Sequence, residues 1–352
     1  MAPPLDEGAP DVLHDLAAVE AALGRLWQAQ ATPDDPESAP PVMRAATFNL
    51  VVVAPSEAEG QAAANVLAAV GAEHPGRVLI LCAESEAAPA PLEAWVAMHC
   101  RAIGGGAQVC GEHVVIVKRG EPERLAGLVT PLLLPDCPVI AWWRGGAGPA
   151  AATLDRLPLD ALLLDGARFQ TGELRRWVAR LGGDGRMPLG DLAWERAADW
   201  RRWTADAFEP AELREACRRI RSVAVACGGE TAMDGLLYAG WLASRLDWRQ
   251  APGDPPGVFR GADGPVDVAI TAAGERKGLE TVTLETGGPD PLRVAMRRDG
   301  MEVTRAGETL LRAVGRTREA DEVQLVGRWL DRLGIDPTYP EALAASAGLV
   351  SR

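Results

Sequence analysis

The chain has 352 residues and a formal net charge of -13. That length allows two domains of about 100–200 residues, each with its own core, while the acidity excludes generic nucleic-acid binding and attachment to an anionic membrane surface, which both draw on Lys and Arg. No apolar run reaches the ~20 residues of a spanning helix, and the opening MAPPLDEGAP lacks the basic region and apolar core of a signal peptide, so a cytoplasmic location is expected.

Residues 1–43 read as an N-terminal helix and a linker. Leu13, Leu16, Leu23, Leu26 and Trp27 fall near one stripe of a helix over 11–30, with Asp11 as N-cap. Residues 1–10 read as disordered, and 32–41 (TPDDPESAPP) as a Pro-rich acidic linker. From 44 to 188 strands and helices alternate. Strands are expected at 47–54, 76–81, 113–118, 139–143 and 160–165, and helices at 57–72, 92–101, 121–134 and 172–181. Strand, helix, strand within about 35 residues is a βαβ unit with a right-handed crossover. The series predicts a doubly wound, mostly parallel, Rossmann-like sheet.

The stretch 131–146 (PLLLPDCPVIAWWRGG) is the most informative. Pro135 and Pro138 stop any helix, because each lacks an N–H and restrains the residue before it. The run from Val139 to Trp143 has no charged residue and suits a strand buried on both faces. Gly145 and Gly146 then turn the chain at the strand's carboxyl end, where ligands and partners of open α/β sheets usually sit.

Residues 189–352 form the second expected domain, of α+β type. A long helix is predicted over 191–208, opening on Asp191, with Trp200 and Trp203 near one face and Arg196, Arg201 and Arg202 among them. A helix over 211–220, a strand over 221–227 and a helix over 231–248 follow. After a Pro/Gly loop at 251–264 the period changes to two: Val266, Val268, Ile270; Val282, Leu284; Leu292, Val294, Met296; Met301, Val303. Alternation with tight turns predicts an antiparallel β-meander with one solvated face, bearing Arg293, Arg297 and Arg305. Helices over 317–333 and 340–348 close the chain.

The chain carries few signatures of chemistry. The first strand ends VVVAPSEAEG, with neither a G-x-G-x-x-G nor a Walker lysine loop. The glycine run 104–106 precedes a strand, so it reads as a turn. His99-Cys100 and Cys110-x-x-His113 contain zinc-ligand types, but alternation along a strand favours a buried thiol and a strand-end His. Cys137 lies beside Asp136, whose carboxylate would raise a thiol's pKa. The six cysteines (Cys82, Cys100, Cys110, Cys137, Cys217, Cys227) include no C-x-x-C and are expected as free thiols. No metal, cofactor or catalytic constellation is expected. What remains is interaction chemistry: 11 Trp against 4 Phe and 2 Tyr, residues enriched at interfaces as well as cores.

Several segments resemble one family. TFNLVVVA (47–54), HPGRVLIL (74–81), CGEHVVIV (110–117), PLLLPDCPVIAWWRG (131–145), DALLLDGARF (160–169), DLAWERAADWRRWTADAF (191–208), AGWLASRLDWR (239–249) and DEVQLVGRWLDRLGIDPTYPEAL (321–343) run in order over nearly the whole chain. They are similar to the OpcA family of glucose-6-phosphate dehydrogenase assembly proteins. The commoner family form carries a Ser where Gly166 stands here. The resemblance implies a non-enzymatic partner that binds glucose-6-phosphate dehydrogenase and favours its assembled, active state in the oxidative pentose phosphate pathway. Asp136, Trp142, Trp143, Arg144, Arg196, Arg201 and Arg202 are the expected contact residues, chosen for their Trp/Arg clustering. The alternative is an enzyme, or a binder of a nucleotide or sugar phosphate, using the carboxyl edge of the parallel sheet.

Overall fold

A computed structural model describes residues 12–31, 42–44, 46–71, 73–84, 88–102, 107–119, 124–146, 149–181, 187–228, 232–273, 277–288, 290–297, 300–314 and 320–350. The expected disordered start at 1–10, Asp11, the linker 32–41 and the glycine run 104–106 lie outside the described residues. The chain divides into two compact units, Met1–Leu164 with Glu322–Arg332, and Asp165–Asp321 with Leu333–Arg352. The main segment of the first unit thus ends at Leu164, ahead of the domain boundary expected at 188/189. The reason is packing: the turn at Gly166–Arg168 contacts the helices of the second unit, as does the helix Thr171–Leu181.

The first unit is a sheet flanked by helices. Its elements are α1 (Leu16–Ala31), β1 (Val42–Arg44), β2 (Asn49–Ala54), α2 (Glu57–Val70), β3 (Arg77–Glu84), β4 (Glu93–Ala102), β5 (Gln108–Arg119), α3 (Leu125–Val129), β6 (Val139–Trp143) and β7 (Ala161–Leu164). Numbered along the whole chain, α9 (Glu322–Asp331) also belongs here. The strand order is β1-β5-β3-β2-β6-β7, with all these pairs parallel and β4 antiparallel to β5. The apolar runs of β2, β6 and β7 are buried at every position, as strands covered on both faces must be. Helix α2 is capped by Ser56, whose hydroxyl accepts from Glu59 N. Gly60 lets α2 approach the sheet, since a Cβ there would overlap the Cys82 sulfur.

Two of the expected helices differ in this unit. Residues 92–101 form strand β4, not a helix: Glu, Ala and Met favour a helix locally, but ten paired positions with β5, from Glu93↔Val117 to Ala102↔Gln108, override that preference. Helix α1 starts later than expected, where Asp15 Oδ1 accepts from Ala18 N at 2.7 Å. The Pro-Asp-Cys-Pro break is held by Asn49 at the start of β2. Its Nδ2 donates to Leu134 O (3.0 Å) and Cys137 O (3.1 Å), and its Oδ1 accepts from Leu134 N (2.7 Å). Asp136 takes φ 63° at the turn, the left-handed region that Asp tolerates better than most residues.

The second unit contains α4 (Thr171–Leu181), β8 (Leu189–Asp191), α5 (Leu192–Arg196), α6 (Ala198–Ala207), α7 (Ala211–Arg218), β9 (Ser222–Gly228), α8 (Met233–Arg245), β10 (Val258–Gly261), β11 (Gly264–Ala272), β12 (Gly278–Glu285), β13 (Leu292–Arg297), β14 (Gly300–Arg305), β15 (Glu308–Val314) and α10 (Thr338–Ala345). The sheet order is β10-β11-β9-β12-β13-β14-β15. Strands β12 to β15 form the expected antiparallel meander, whereas β9 pairs parallel with β11 and antiparallel with β12. Val225, Val282, Val294 and Val303 bury one face completely, in a core shared with Tyr238 of α8 and Trp200 of α6. The opposite face is lined by small and polar side chains, among them Ala224, Ala269, Thr271 and Arg293, which are exposed. The helix expected over 191–208 is broken at Ala197 into α5 and α6. Strand β10 occupies part of the expected loop, and β15 extends the meander. Among the described residues, no helix is long and apolar enough to cross a membrane.

Candidate functional site

In the first unit, β2 has β3 on one side and β6 on the other, so the strand order reverses at the carboxyl ends of β2 and β6. Open α/β sheets place ligands in the crevice at such a point, with phosphate on the N-terminus of the helix after the first strand. Here that helix is α2, and its first turn carries Glu57 and Glu59. These carboxylates already complement the positive end of the helix dipole. Arg144 leaves the end of β6, lies 4.6 Å from the Trp142 ring centroid, and donates to Glu59 (Nε 3.1 Å) and to Glu322 of α9 (Nη1 2.7 Å). Its side chain is only 4% exposed. Arg119, at the end of β5, pairs with Glu57 of the same first turn of α2, with Glu84 at 3.3 Å and with Glu93 at 3.5 Å. The crevice is thus acidic and paired within itself, an arrangement that repels phosphate.

The residues expected at this rim are placed differently from one another. Trp142 and Trp143 are each 1% exposed and belong to the core. Trp143 packs over Gly145, where a Cβ would come 2.5 Å from its Cζ2. Arg144 is buried in ion pairs, and Asp136 is exposed. Burial pushes the Cys82 thiol up to about 12, with Glu57 and Glu84 adding to the rise, so this cysteine is not a thiolate nucleophile.

The second unit holds a buried network that sequence reasoning missed. Asp191 caps α5: its Oδ1 accepts from Ala193 N (2.8 Å) and from Gly166 N (2.7 Å), while its Oδ2 accepts from the Tyr339 hydroxyl (2.8 Å). Complete burial, and then the nearby Asp165 charge, raise its pKa to about 7 despite those three donors. Arg196 donates to Asp165 (2.8 Å) and Asp234 (3.0 Å), and these carboxylates hold its pKa high against the effect of burial. The only sequence signal was the Asp at the start of the predicted helix, since Asp165, Asp234 and Tyr339 come from distant segments. Arg201 stacks 3.3 Å from the Trp194 ring centroid and donates to Trp194 O at 2.7 Å. Arg202 faces solvent and pairs with Asp199 at 3.3 Å along α6. Of the three arginines singled out on this segment, Arg196 and Arg201 therefore serve internal packing, and Arg202 is the one displayed.

The His/Cys cluster resolves by strand alternation. Cys100 and Cys110 are directly opposite on β4 and β5 and form a disulfide, which corrects the expectation of six free thiols. His99 and His113 lie on the other face, with ring centroids 4.2 Å apart. Two thiols and two imidazoles on opposite faces of one strand pair cannot surround a single ion. Among the described residues, no group of three His, Cys, Asp or Glu is placed to hold a metal. Burial, then the charge of His99, lowers the His113 pKa to about 3, so its imidazole is neutral.

On the meander, Arg293 and Arg297 are exposed and Arg305 is half-buried. Arg297 donates to Glu302 at 2.9 Å.

Residues 67–177 match a family described as the N-terminal domain of a glucose-6-phosphate dehydrogenase subunit. Residues 187–343 match the companion family, described as the C-terminal domain of the same protein. The chain is 28% identical over 209 residues to the putative OxPP cycle protein OpcA of a Synechocystis species, covering 57% of this chain and 43% of that protein. It is 28% identical over 195 residues to the protein of the same description from Synechococcus elongatus, covering 54% and 43%. The chain thus spans under half the length of these curated relatives. Among solved structures it is distantly similar to an oxidoreductase from Sinorhizobium meliloti, at 13% identity and TM-score 0.47, covering 87% of this chain and 95% of that one.

Proposed function

We propose that this chain, which belongs to the OpcA family of glucose-6-phosphate dehydrogenase assembly proteins, is a non-enzymatic partner that binds glucose-6-phosphate dehydrogenase and favours its assembled, active state. The observation that carries the reading is the coincidence of family and geometry. Both halves of the chain match domains named for the dehydrogenase, and at the crevice where a doubly wound sheet would seat a nucleotide Arg144 is paired with Glu59 and Glu322. A fold of this kind whose crevice is acidic and whose arginine is paired within the chain is better suited to presenting surfaces than to binding a phosphorylated substrate.

An activator acts only through a difference in affinity. It must bind the active state of the dehydrogenase more tightly than the inactive one, by about 1–3 kcal/mol for an effect of roughly 5- to 150-fold. By this reading the chain works in the cytoplasm on the oxidative pentose phosphate pathway, without nucleic acid or membrane.

The test is to mix the purified chain with its cognate dehydrogenase. The two are expected to co-elute, and the dehydrogenase's half-saturation by glucose 6-phosphate, or its maximal rate, is expected to change. Separate elution with unchanged kinetics overturns the proposal. A nucleotide or sugar phosphate retained by the purified chain would favour a ligand-binding role at the sheet edge instead.

A further inference from the structure

Helices α4 and α10 of the second unit lie side by side and enclose an open groove of about 650 Å³. Its floor is apolar, with Val178 of α4 and Leu343 of α10 buried there. One rim is formed by the loop before α10, where Ile335 is 58% exposed beside Pro337, and by Pro340 in the first turn of α10. Of the large hydrophobic side chains exposed among the described residues, two, Leu333 and Ile335, fall within this one loop. The other rim carries Arg175 and Arg176, both exposed.

The charges of the groove are unbalanced. Asp336 also lines it, but its Oδ1 accepts from Thr338 N at 2.8 Å and its Oδ2 from Trp194 Nε1 at 2.9 Å. Neither Arg175 nor Arg176 meets a carboxylate among the described residues, whereas the nearby Arg196 is held by Asp165 and Asp234. On a chain of net charge -13, this leaves an apolar trough with a positive edge, the complement of an amphipathic segment with acidic side chains next to its apolar stripe. A trough between two helices accepts such a segment through apolar anchors at helical spacing, while charged rim contacts set orientation and speed of encounter.

We propose that the α4–α10 groove is a docking site for an acidic amphipathic segment of the dehydrogenase; this rests on the reading of the chain as that enzyme's partner. Arg175 and Arg176 receive the carboxylates, and Ile335 packs against the apolar side of the incoming segment.

The test compares the affinity of the full-length chain for its cognate dehydrogenase with that of three folded variants: Arg175→Glu with Arg176→Glu, Ile335→Asp, and Arg293→Glu on the open sheet face. All the substituted side chains are exposed, so circular dichroism and the melting temperature are expected to match the parent. The two groove variants should each lose at least about tenfold in affinity, and the sheet variant less than about twofold. Raising salt from about 50 to about 300 mM should slow association of the parent, and should slow it less for the doubly reversed variant. If the parent binds and the groove variants bind equally well, the groove is not the docking site and the partnership stands. If Arg293→Glu alone weakens binding, the open sheet face is the interface and the groove proposal falls. If the parent itself does not bind, the partnership falls and the groove proposal with it.

Discussion

Gly166 and Asp191 show how one missing methyl group shapes the second unit. A Cβ on residue 166 would stand 3.0 Å from Asp191 Oδ1 and closer still to Oδ2. The Ser of the commoner family form therefore does not fit beside this carboxylate as it is placed here. Gly166→Ser is expected to destabilise the chain by about 1–3 kcal/mol through overpacking, read as a lower denaturant midpoint at unchanged slope. Asp191 makes a second, pH-dependent prediction. Its ordinary pKa of 3.8 applies to the unfolded chain, and burial raises it to about 7 in the folded one. The folded state therefore binds the proton more readily between these values, so this group's stabilisation is full below about pH 4 and is lost as pH rises through 7. Asp191→Asn keeps an acceptor for Gly166 N and Ala193 N but cannot titrate. Between about pH 4 and 8 the parent should lose stability relative to this variant, on the order of a few kcal/mol. Parallel stability profiles for the two proteins would refute the assignment.

At the scale of elements, the strand β4 and its disulfide carry the next prediction. Cys100 is exposed and Cys110 buried, and they close a loop with a sequence separation of 10. Alkylation of the denatured, unreduced protein should modify four cysteines (Cys82, Cys137, Cys217 and Cys227) and spare two. Replacing both partners by Ser should cost about 2–3 kcal/mol, the loop-closure value for a short loop. Modification of all six without reductant would show that the bond is not formed. The difference between this pair and the rest explains what was legible in the sequence. Strands β2, β6 and β7 were readable because burial on both faces demands an unbroken apolar run. The meander was readable because one solvated face demands alternation, as in Leu292, Val294 and Met296. Strand β4 was not, since its helix-favouring residues are held extended by pairing with β5, a partner invisible in local composition. The Trp142–Arg144 segment was located correctly as a strand end, but its exposure was not readable: Arg144 is covered by Glu322, a residue 178 positions away. The groove beside Arg175 and Arg176 was not readable, because Leu343, part of its apolar floor, comes from the distant helix α10.

At the scale of the whole molecule, the decisive feature is that the first unit is discontinuous. Residues Met1–Leu164 contain the entire run of strands from β1 to β7, yet α9 comes from Glu322–Asp331 and packs on α2. Leu325, Val326, Trp329 and Leu330 on this helix are buried at 2%, 1%, 5% and 9% exposure. Burying such side chains stabilises by about 1.5–3 kcal/mol each, so four together are worth up to about 6–12 kcal/mol, an upper bound because unfolded chains already hide some apolar surface. That is comparable to the ~5–15 kcal/mol stability of an ordinary domain. Electrostatics point the same way. Without Glu322, Arg144 keeps Glu59 as its counter-ion and loses the second carboxylate that covers it. A chain ending at residue 164 is therefore expected to be poorly folded, with weak near-ultraviolet signal from Trp142 and Trp143, binding of a hydrophobic dye and rapid proteolysis. Adding a synthetic peptide spanning residues 320–333 should restore ordered tryptophan signal and protease resistance in a saturable way. The same peptide with Trp329→Ala and Leu325→Ala should fail to do so. If the 164-residue piece is stable by itself, and the peptide leaves its melting temperature unchanged, α9 is an accessory to this unit and not a part of its core.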